Sequence, residues 1–222
     1  MLPGFHGSAK LFSSLVKALG DAIDVHPLGF KSYDSLTEHA DAISPLLPQE
    51  GSFLLAESFS GLIALQLAAR QPGRFKGLIL SATFAQSPFL ALCKIGARLP
   101  TSCYKPNPVR QLILKHFCLN GIHNPSLEVE ILQAVNEVEP TAVKKRFRVL
   151  ASADLTGLLP TINTPVLILE SSCDRIVPTS RIDALLAGLP NAQRRKISGP
   201  HLILQTKPLI AATAIKEFIR AN

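Results

Sequence analysis

The chain has 222 residues, of which 47% are hydrophobic and 18% are charged, and its mean hydropathy is +0.26. A chain of this length and composition can bury a large core as one domain, so disorder and fibrous structure are excluded. It carries 23 basic and 16 acidic residues, a net charge of +7. That balance favours acidic partners, although scattered surface charge is the simpler interpretation. We predict no nucleic-acid partner, because there is no arginine-rich arm and no zinc-finger spacing.

No run of 18 apolar residues is present, so we predict no transmembrane segment. The opening residues MLPGFHGSAK lack the basic and apolar regions of a signal peptide. The spacings of the four cysteines match neither a zinc site nor a CxxC pair. We therefore expect reduced, mostly buried thiols in a cytoplasmic protein, at Cys93, Cys103, Cys118 and Cys173.

Short apolar runs alternate with helical periodicity along the chain, which is typical of an α/β protein with a mainly parallel sheet. A capping box, Ser35-x-x-Glu38, marks one helix start, and Pro208 suits the first turn of another. The predicted helices cover residues 9–19, 35–47, 61–70 and 208–220. The predicted strands cover residues 23–28, 52–56, 76–82, 165–170 and 192–198.

Residues 83–160 interrupt this alternation. The stretch is rich in proline and contains three or four helical patterns but no strand pattern. Its nine basic and five acidic residues account for more than half of the net charge. We predict that it is a helical cap, inserted between two strands of a single domain that spans residues 1–222.

Ser58 lies where a buried strand turns directly into a helix, in the segment LLAESFSG. A serine on such a turn has a strained backbone and needs small residues two positions before and after it, here Ala56 and Ser60. The start of the helix adds its dipole and free amides beside the hydroxyl. We predict that Ser58 is a nucleophile, with an ordinary helix-capping serine as the alternative. Ser60 is the rival serine, and we interpret it as structural.

A serine nucleophile needs a base, and the base needs an orienting acid. His201 follows the last predicted strand in the segment SGPH, so it should reach the same sheet edge as Ser58. Asp174 follows the strand PVLILE, 27 residues before His201, and we predict it as the acid rather than as a helix cap or an ion-pair partner. Three other histidines are predicted to be solvated or packed: His39, His116 and His123.

Four blocks taken in order, LPGFHGS, LLAESFSG, PVLILESSCDRIVP and SGPHLILQTKP, resemble the α/β-hydrolase fold superfamily of serine hydrolases. The resemblance covers nearly all of the chain. It implies an α/β-hydrolase fold, a mainly parallel sheet with helices on both faces and an inserted helical cap. It also implies that Ser58 attacks an acyl carbonyl, His201 shuttles the proton and Asp174 orients the imidazole. No metal or cofactor is implied.

By the same resemblance, LPGFHGS is the oxyanion loop. The backbone N–H groups of Phe5 and Phe59 would then bind the tetrahedral oxyanion. The side chains of both phenylalanines would wall the acyl pocket, with plain core packing as the alternative. For His6 we expect a hydrogen bond within its loop and no part in proton transfer.

The N-terminus departs from the superfamily pattern, as do the alanine and serine that replace the usual glycines around Ser58. A central strand normally precedes the oxyanion loop, between the strands that would here be 23–28 and 52–56, yet only Met1 and Leu2 precede Pro3. An empty slot would leave buried N–H and C=O groups unsatisfied. We therefore expect either an upstream start codon that adds an apolar strand, or a poorly stable and weakly active chain.

The resemblance favours hydrolysis of a small-molecule carboxylic ester, with a thioester close behind. A narrower alternative is an enzyme similar to the methyl ester esterases that act on pimeloyl-acyl carrier protein, because a basic cap suits an acidic carrier. The candidate docking site is the cluster Lys144, Lys145, Arg146 and Arg148, with a solvated helix face as the alternative. On a helix, residues 144 and 148 share a face while 146 points away, so the whole cluster cannot engage one flat partner. An alternative of another class is a non-catalytic binding module on the same fold.

Overall fold

A computed structural model of the chain describes residues 1–105, 108–120 and 124–222. One parallel sheet runs through it, with the strands side by side in chain order. The inner strands are almost wholly buried, because helices cover both faces of the sheet. Each strand lies within one residue of a predicted strand. The four are β1 (Ser52–Glu57), β2 (Phe75–Ser81), β3 (Val166–Ser171) and β4 (Ala192–Ile197).

Ten α-helices are described, and the first, third and last follow the predicted helices closely. The helix predicted from residue 35 begins as expected, since the Ser35 hydroxyl accepts a hydrogen bond from the Glu38 N–H at 3.1 Å. The helices are α1 (Ser13–Leu19), α2 (Leu36–Ile43), α3 (Ser60–Arg70), α4 (Leu90–Arg98), α5 (Pro108–Cys118), α6 (Pro125–Asn136), α7 (Pro140–Ser152), α8 (Thr179–Gly188), α9 (Ile203–Thr206) and α10 (Pro208–Ala221).

The core lies in two layers, one on each face of the sheet. Successive side chains of β1 point to opposite faces of the sheet and so belong to different layers. Leu54 and Ala56 pack with α2, α3 and α8, whereas Leu55 packs with α1 and α10. This arrangement confirms the predicted α/β fold class. No helix among the described residues is both long and apolar enough to cross a membrane.

The chain between β2 and β3 is helical. It contains α4 to α7 and two 3-10 turns, Thr101–Tyr104 and Thr156–Thr161. An isolated bridge pairs Gln86 with Asp154 near its two ends, and the described residues between them form no strand. α4 packs closely on α7, because a Cβ at Gly96 would come within 2.9 Å of the Phe147 ring. The fold therefore has the inserted helical cap, while its exact limits of 83–160 stay a prediction.

The strand predicted at 23–28 is wrong. Among the described residues, the backbone of this segment bonds only to Met1, through the Leu28 N–H to the Met1 carbonyl at 2.9 Å and the Met1 amino group to the His26 carbonyl at 2.7 Å. It therefore forms no ladder with a strand. On the other side, Leu2 joins β1 through Leu2 N–H to the Leu55 carbonyl at 2.8 Å and Glu57 N–H to the Leu2 carbonyl at 3.1 Å. Met1 and Leu2 thus lie where the strand before the oxyanion loop was expected, beside the last residues of β1, and Leu2 is fully buried.

The four cysteines are free thiols. Cys93 is buried and Cys118 is half-buried, but Cys103 and Cys173 are exposed. The expectation of mostly buried thiols is therefore wrong for the last two, because Cys103 lies in a surface 3-10 turn and Cys173 in the turn after β3.

Candidate active site

Ser58 stands on a strained turn between β1 and α3. Its φ of +51° is left-handed, a conformation that costs energy for a residue with a side chain. Two contacts with the end of β2 hold the turn, from the Ser58 N–H to the Ser81 carbonyl at 2.8 Å and from the Thr83 hydroxyl to the Ser58 carbonyl at 2.5 Å. The predicted strain is therefore present, and the surrounding structure keeps it in place.

The positions after Ser58 require small residues because α3 starts against the loop after β2. A Cβ at Gly61 would lie 2.0 Å from the Thr83 hydroxyl oxygen. Ser60 is fully buried, and its hydroxyl accepts a hydrogen bond from the Glu57 N–H at 3.0 Å. That hydroxyl also lies 2.8 Å from the Leu2 carbonyl and 3.0 Å from the Glu57 carbonyl, and either carbonyl can accept a hydrogen bond from it. These bonds bind the turn to the N-terminus, which agrees with a structural role.

Ser58, His201 and Asp174 meet at the carboxyl ends of β1, β4 and β3. His201 Nε2 lies 3.0 Å from the Ser58 hydroxyl oxygen, and His201 Nδ1 lies 2.7 Å from Asp174 Oδ2. The other carboxylate oxygen, Asp174 Oδ1, accepts hydrogen bonds from the N–H groups of Ile176 at 2.7 Å and Val177 at 2.9 Å. Backbone groups therefore fix the carboxylate, and the carboxylate fixes the imidazole.

The environment of His201 raises the pKa of its imidazole above the ordinary value. Burial, the strongest influence, lowers this pKa, but the charge and hydrogen bond of Asp174 together with the charge of Glu57 outweigh it. The side chains of His201 and Asp174 are only 5% and 3% exposed. The site therefore favours a positively charged imidazole, the species that a base becomes when it removes a hydroxyl proton.

Two other carboxylates could have oriented the histidine, and neither does so. Asp154 is exposed and bonded to Thr156 and Gln86. Glu170 is buried, but it accepts a hydrogen bond from Thr179 at 3.0 Å and pairs with Arg194.

Among the described residues, no other histidine bonds to Ser58. His39, predicted to be solvated or packed, is fully buried, with Nδ1 2.8 Å from the Ser35 carbonyl, and burial lowers its pKa. His116 contacts Arg175 at the surface. His123 lies outside the described residues. The His6 Nδ1 accepts a hydrogen bond from the Ser8 N–H at 3.0 Å, which is the bond predicted within its loop.

The loop predicted to hold the oxyanion passes directly over Ser58, since a Cβ at Gly4 would lie 3.5 Å from the Ser58 Cβ. Within the described part of the chain, the N–H groups of Phe5 and Phe59 donate to no acceptor. Two free amide donors flanking a serine hydroxyl are what an oxyanion hole requires.

The side chains of these phenylalanines have different surroundings. Phe59 is 1% exposed and packs against Phe30 and His39, so its ring belongs to the core, the alternative considered from the sequence. Phe5 is partly buried, and its ring contacts Phe147 of the cap with centroids 5.2 Å apart. The place of the Phe5 side chain in an acyl pocket stays a prediction. A separate cavity of about 520 Å³ lies between the oxyanion loop and α7.

The structure corrects the interpretation of the basic cluster on α7. Arg146 is 3% exposed and donates hydrogen bonds to the carbonyls of Phe5 and Phe30, and burial lowers its pKa to about 10. Lys145 and Arg148 pair with Asp34 at 2.9 and 3.1 Å. The cluster is thus neither one solvated face nor one docking face.

Arg146 has a role that the sequence interpretation missed, although a signal was present. It lies three residues after Val143 and four before Leu150, which are both buried, so helical periodicity places it on the inward face. Glu57, fully buried beside Ser58, was also missed. Its Oε2 accepts a hydrogen bond from the Gln205 amide at 3.3 Å and its Oε1 has no hydrogen-bond partner among the described residues.

A parallel sheet with a serine on the turn after one strand, and with histidine and aspartate after later strands, defines an α/β hydrolase. Residues 29–203, more than three quarters of the chain, match the serine aminopeptidase, S33, family of hydrolases. The chain belongs to that family.

Curated relatives include pimeloyl-[acyl-carrier protein] methyl ester esterases of Neisseria meningitidis. The serogroup C and serogroup A proteins are each 26% identical to this chain over 176 residues, which is 76% of this chain. The aligned part spans 65% and 54% of the lengths of those two relatives.

Solved structures support the fold alone, because their sequence identities are low. An esterase from Exiguobacterium antarcticum has a TM-score of 0.87 at 14% identity, covering 99% of this chain and 92% of that chain. A hydrolase from Pseudomonas aeruginosa has a TM-score of 0.86 at 15% identity, with coverage of 98% and 88%. The enol-lactonase from Burkholderia xenovorans has a TM-score of 0.82 at 15% identity, with coverage of 99% and 89%.

Proposed function

We propose that the chain is a serine hydrolase that cleaves carboxylic esters through an acyl-enzyme. The observation that carries this proposal is the continuous line of contacts from the Ser58 hydroxyl through His201 to Asp174, at 3.0 and 2.7 Å. A base at hydrogen-bond distance activates a hydroxyl that is otherwise a weak nucleophile at neutral pH.

In the first half of the reaction, His201 Nε2 removes the Ser58 proton as the hydroxyl oxygen attacks the acyl carbonyl. The carbonyl oxygen becomes an oxyanion, which the N–H groups of Phe5 and Phe59 stabilise. The imidazolium then returns its proton to the alcohol oxygen, the carbon–oxygen bond of the ester breaks, and the acyl group remains on Ser58.

In the second half, water replaces the alcohol. His201 removes a proton from the water, the resulting hydroxide attacks the acyl carbon, and the proton passes to the Ser58 oxygen as the carboxylic acid leaves. Asp174 holds the Nδ1–H tautomer throughout and stabilises the positive charge on the imidazole. The side chains and backbone of this chain, together with one water, supply every group in this scheme.

A narrower candidate is the methyl ester of an acyl chain carried by an acidic carrier protein. The names of the Neisseria meningitidis relatives favour it, and so does the net charge of +7. The basic cluster on α7 supports this candidate less than the sequence suggested, because Arg146 is buried and both Lys145 and Arg148 pair with Asp34. Thioester hydrolysis needs the same groups and is included in the proposal.

The test is a hydrolysis screen of p-nitrophenyl esters of increasing acyl length, with an acyl thioester and a carrier-bound methyl ester measured beside them. We expect wild-type protein to hydrolyse at least one ester, and Ser58→Ala to show no more than residual turnover. Preference for the carrier-bound ester would favour the narrower candidate. Equal hydrolysis by wild type and Ser58→Ala, or no hydrolysis of any substrate, would contradict the proposal.

A further inference from the structure

The acidic residues are distributed unevenly in the cap. No aspartate or glutamate occurs between Glu57 and Glu128, whereas residues 83–127 contain five basic residues. Residues 128–160 reverse this bias with five acidic and four basic residues. The first half of the cap therefore has no acidic residue of its own, although Glu128 of the second half pairs with Lys115 at 2.6 Å. This excess of basic residues favours a negatively charged partner.

The same half of the cap exposes large apolar side chains. Of the thirteen large hydrophobic residues that are exposed in the described part of the chain, eight lie between residues 89 and 117. Single exposed hydrophobic residues are normal, but a concentration of them marks an interaction surface. The eight are Phe89, Leu90, Leu92, Ile95, Leu99, Leu112, Ile113 and Phe117.

The buried, the exposed apolar and the basic residues of α4 lie on different sides of the helix. Cys93 and Gly96 are buried on the side that packs against the rest of the cap. Leu92 and Ile95, which are 62% and 55% exposed, lie one turn apart on the neighbouring side, which faces outward. The exposed Lys94 and Arg98 flank this apolar face, and among the described residues neither takes part in an ion pair. Apolar residues on one face with cations beside it are characteristic of helices that lie in a lipid interface.

The helix α5 also exposes apolar side chains, and its last residues contact the loops that carry Asp174 and His201. Its Leu112 and Ile113 are 68% and 51% exposed. At its other end, the His116 carbonyl accepts a hydrogen bond from Arg175, the neighbour of Asp174, at 3.2 Å. The Cys118 carbonyl accepts one from the N–H of Leu202, the neighbour of His201, at 3.4 Å. The helix α5 is thus directly connected to the loops that hold Asp174 and His201.

We propose that α4 and α5 form a docking surface for an anionic lipid membrane. The aliphatic side chains enter the interface, while Lys94 and Arg98 contact anionic headgroups. A lipid interface supplies an anionic headgroup layer and an apolar interior together, so it matches both the two cations and the aliphatic side chains. The inference rests on the proposed function only in one consequence, that the ester substrate is taken from the lipid surface.

Sedimentation with vesicles tests the docking surface directly. We expect the protein to bind vesicles of phosphatidylcholine and phosphatidylglycerol in equal parts at least tenfold more tightly than pure phosphatidylcholine, and to release them as salt rises. Lys94→Gln with Arg98→Gln should weaken binding at least fivefold, and Leu92→Ser with Ile95→Ser should do the same. The matched control is Leu209→Ser with Ile210→Ser on α10, where the side chains are 73% and 54% exposed. It should bind as wild type does.

Hydrolysis of a short soluble ester checks that the variants are folded, because the substituted residues lie outside the catalytic site. Binding that does not distinguish anionic from neutral vesicles, or that the α10 control weakens equally, would overturn the proposal. So would an acidic carrier protein that binds through these residues while vesicles do not. Ser58→Ala should bind vesicles normally, so failure of the docking surface and failure of the hydrolase proposal give different results.

Discussion

The guanidinium of Arg146, on the cap helix α7, donates a hydrogen bond to the backbone carbonyl of Phe5 in the oxyanion loop. It also packs on the ring of Phe30, with its central carbon 5.3 Å from the ring centroid. The fit is close, because a Cβ at Gly7 would lie 2.5 Å from the guanidinium. Arg146 thus joins the cap to the loop whose Phe5 N–H is proposed to bind the oxyanion.

Replacing Arg146 with methionine should lower kcat and leave KM for a short ester nearly unchanged, because the ground-state substrate does not need the oxyanion donor. We expect a loss of about 10- to 100-fold, less than the 10²- to 10³-fold typical of deleting a donor outright, since the Phe5 N–H would be displaced and not removed. Arg148→Met on the same helix is the control, because Arg148 is exposed and paired with Asp34. Equal effects of the two substitutions would rule out this link.

Ser60→Gly should keep catalysis but lose stability. The Ser60 hydroxyl accepts a hydrogen bond from the Glu57 N–H and lies within hydrogen-bond distance of the Leu2 carbonyl. Because those two groups also bond to each other, its loss removes buried hydrogen bonds, worth about 0.5–1.5 kcal/mol each, without leaving either group unpaired. Urea unfolding of Ser60→Gly beside wild type measures this difference, and ester hydrolysis in the same preparations measures turnover. Turnover that disappears with unfolding unchanged would make Ser60 the reactive serine.

Activity should fall on the acid side at a pH above the ordinary imidazole pKa of about 6.5, because the pKa of His201 is raised and the base must be neutral to accept a proton. The negative charge of Glu57 is one cause of this rise, so Glu57→Gln should move the acid limb of kcat/KM to lower pH. The measurement is a pH profile of both proteins on a neutral ester. A limb at or below pH 6.5 in wild type, or one that Glu57→Gln raises, would contradict this electrostatic interpretation.

Asp174→Asn should lower kcat by about 10⁴ with the fold intact, because an amide favours the wrong imidazole tautomer. Asp154→Asn is the matched control, since Asp154 is exposed and lies away from His201. Steady-state kinetics and thermal unfolding of both variants test the assignment. A loss of less than tenfold at Asp174 would require a different orienting group.

The strands and the turn at Ser58 could be predicted from the sequence because the signals that define them are local. The strands β1, β2 and β3 are short apolar runs bounded by turn residues, whereas β4 (AQRRKI) is polar between its first and last residues. Ser58 is defined by a strand, a turn and a helix that adjoin in the chain. The segment 23–28 begins with alternating apolar and polar residues, but a strand also needs a partner along its length, and among the described residues the backbone of this segment bonds only to Met1.

The burial of Arg146 and Glu57 was harder to predict from the sequence. In the run KKRFR on α7, the sequence suggested a solvated cluster, because arginine is almost never fully buried without a partner. Arg146 is buried because two carbonyls, those of Phe5 and Phe30, come from segments more than a hundred residues earlier in the chain. Glu57 is similar, since its contact with Gln205 joins residues 148 positions apart. Periodicity can show that such a residue faces inward, but not what it meets there.

The most direct test of the account is the site at which an active-site fluorophosphonate reacts, located by peptide mass spectrometry. We expect a single adduct on Ser58 in wild type and no adduct in Ser58→Ala. We further expect an unchanged adduct in Ser60→Gly, and much slower labelling in His201→Ala, where the base is missing. An adduct on Ser60, or ester hydrolysis that persists in protein without a reactive Ser58, would contradict the assignment of Ser58 as the nucleophile.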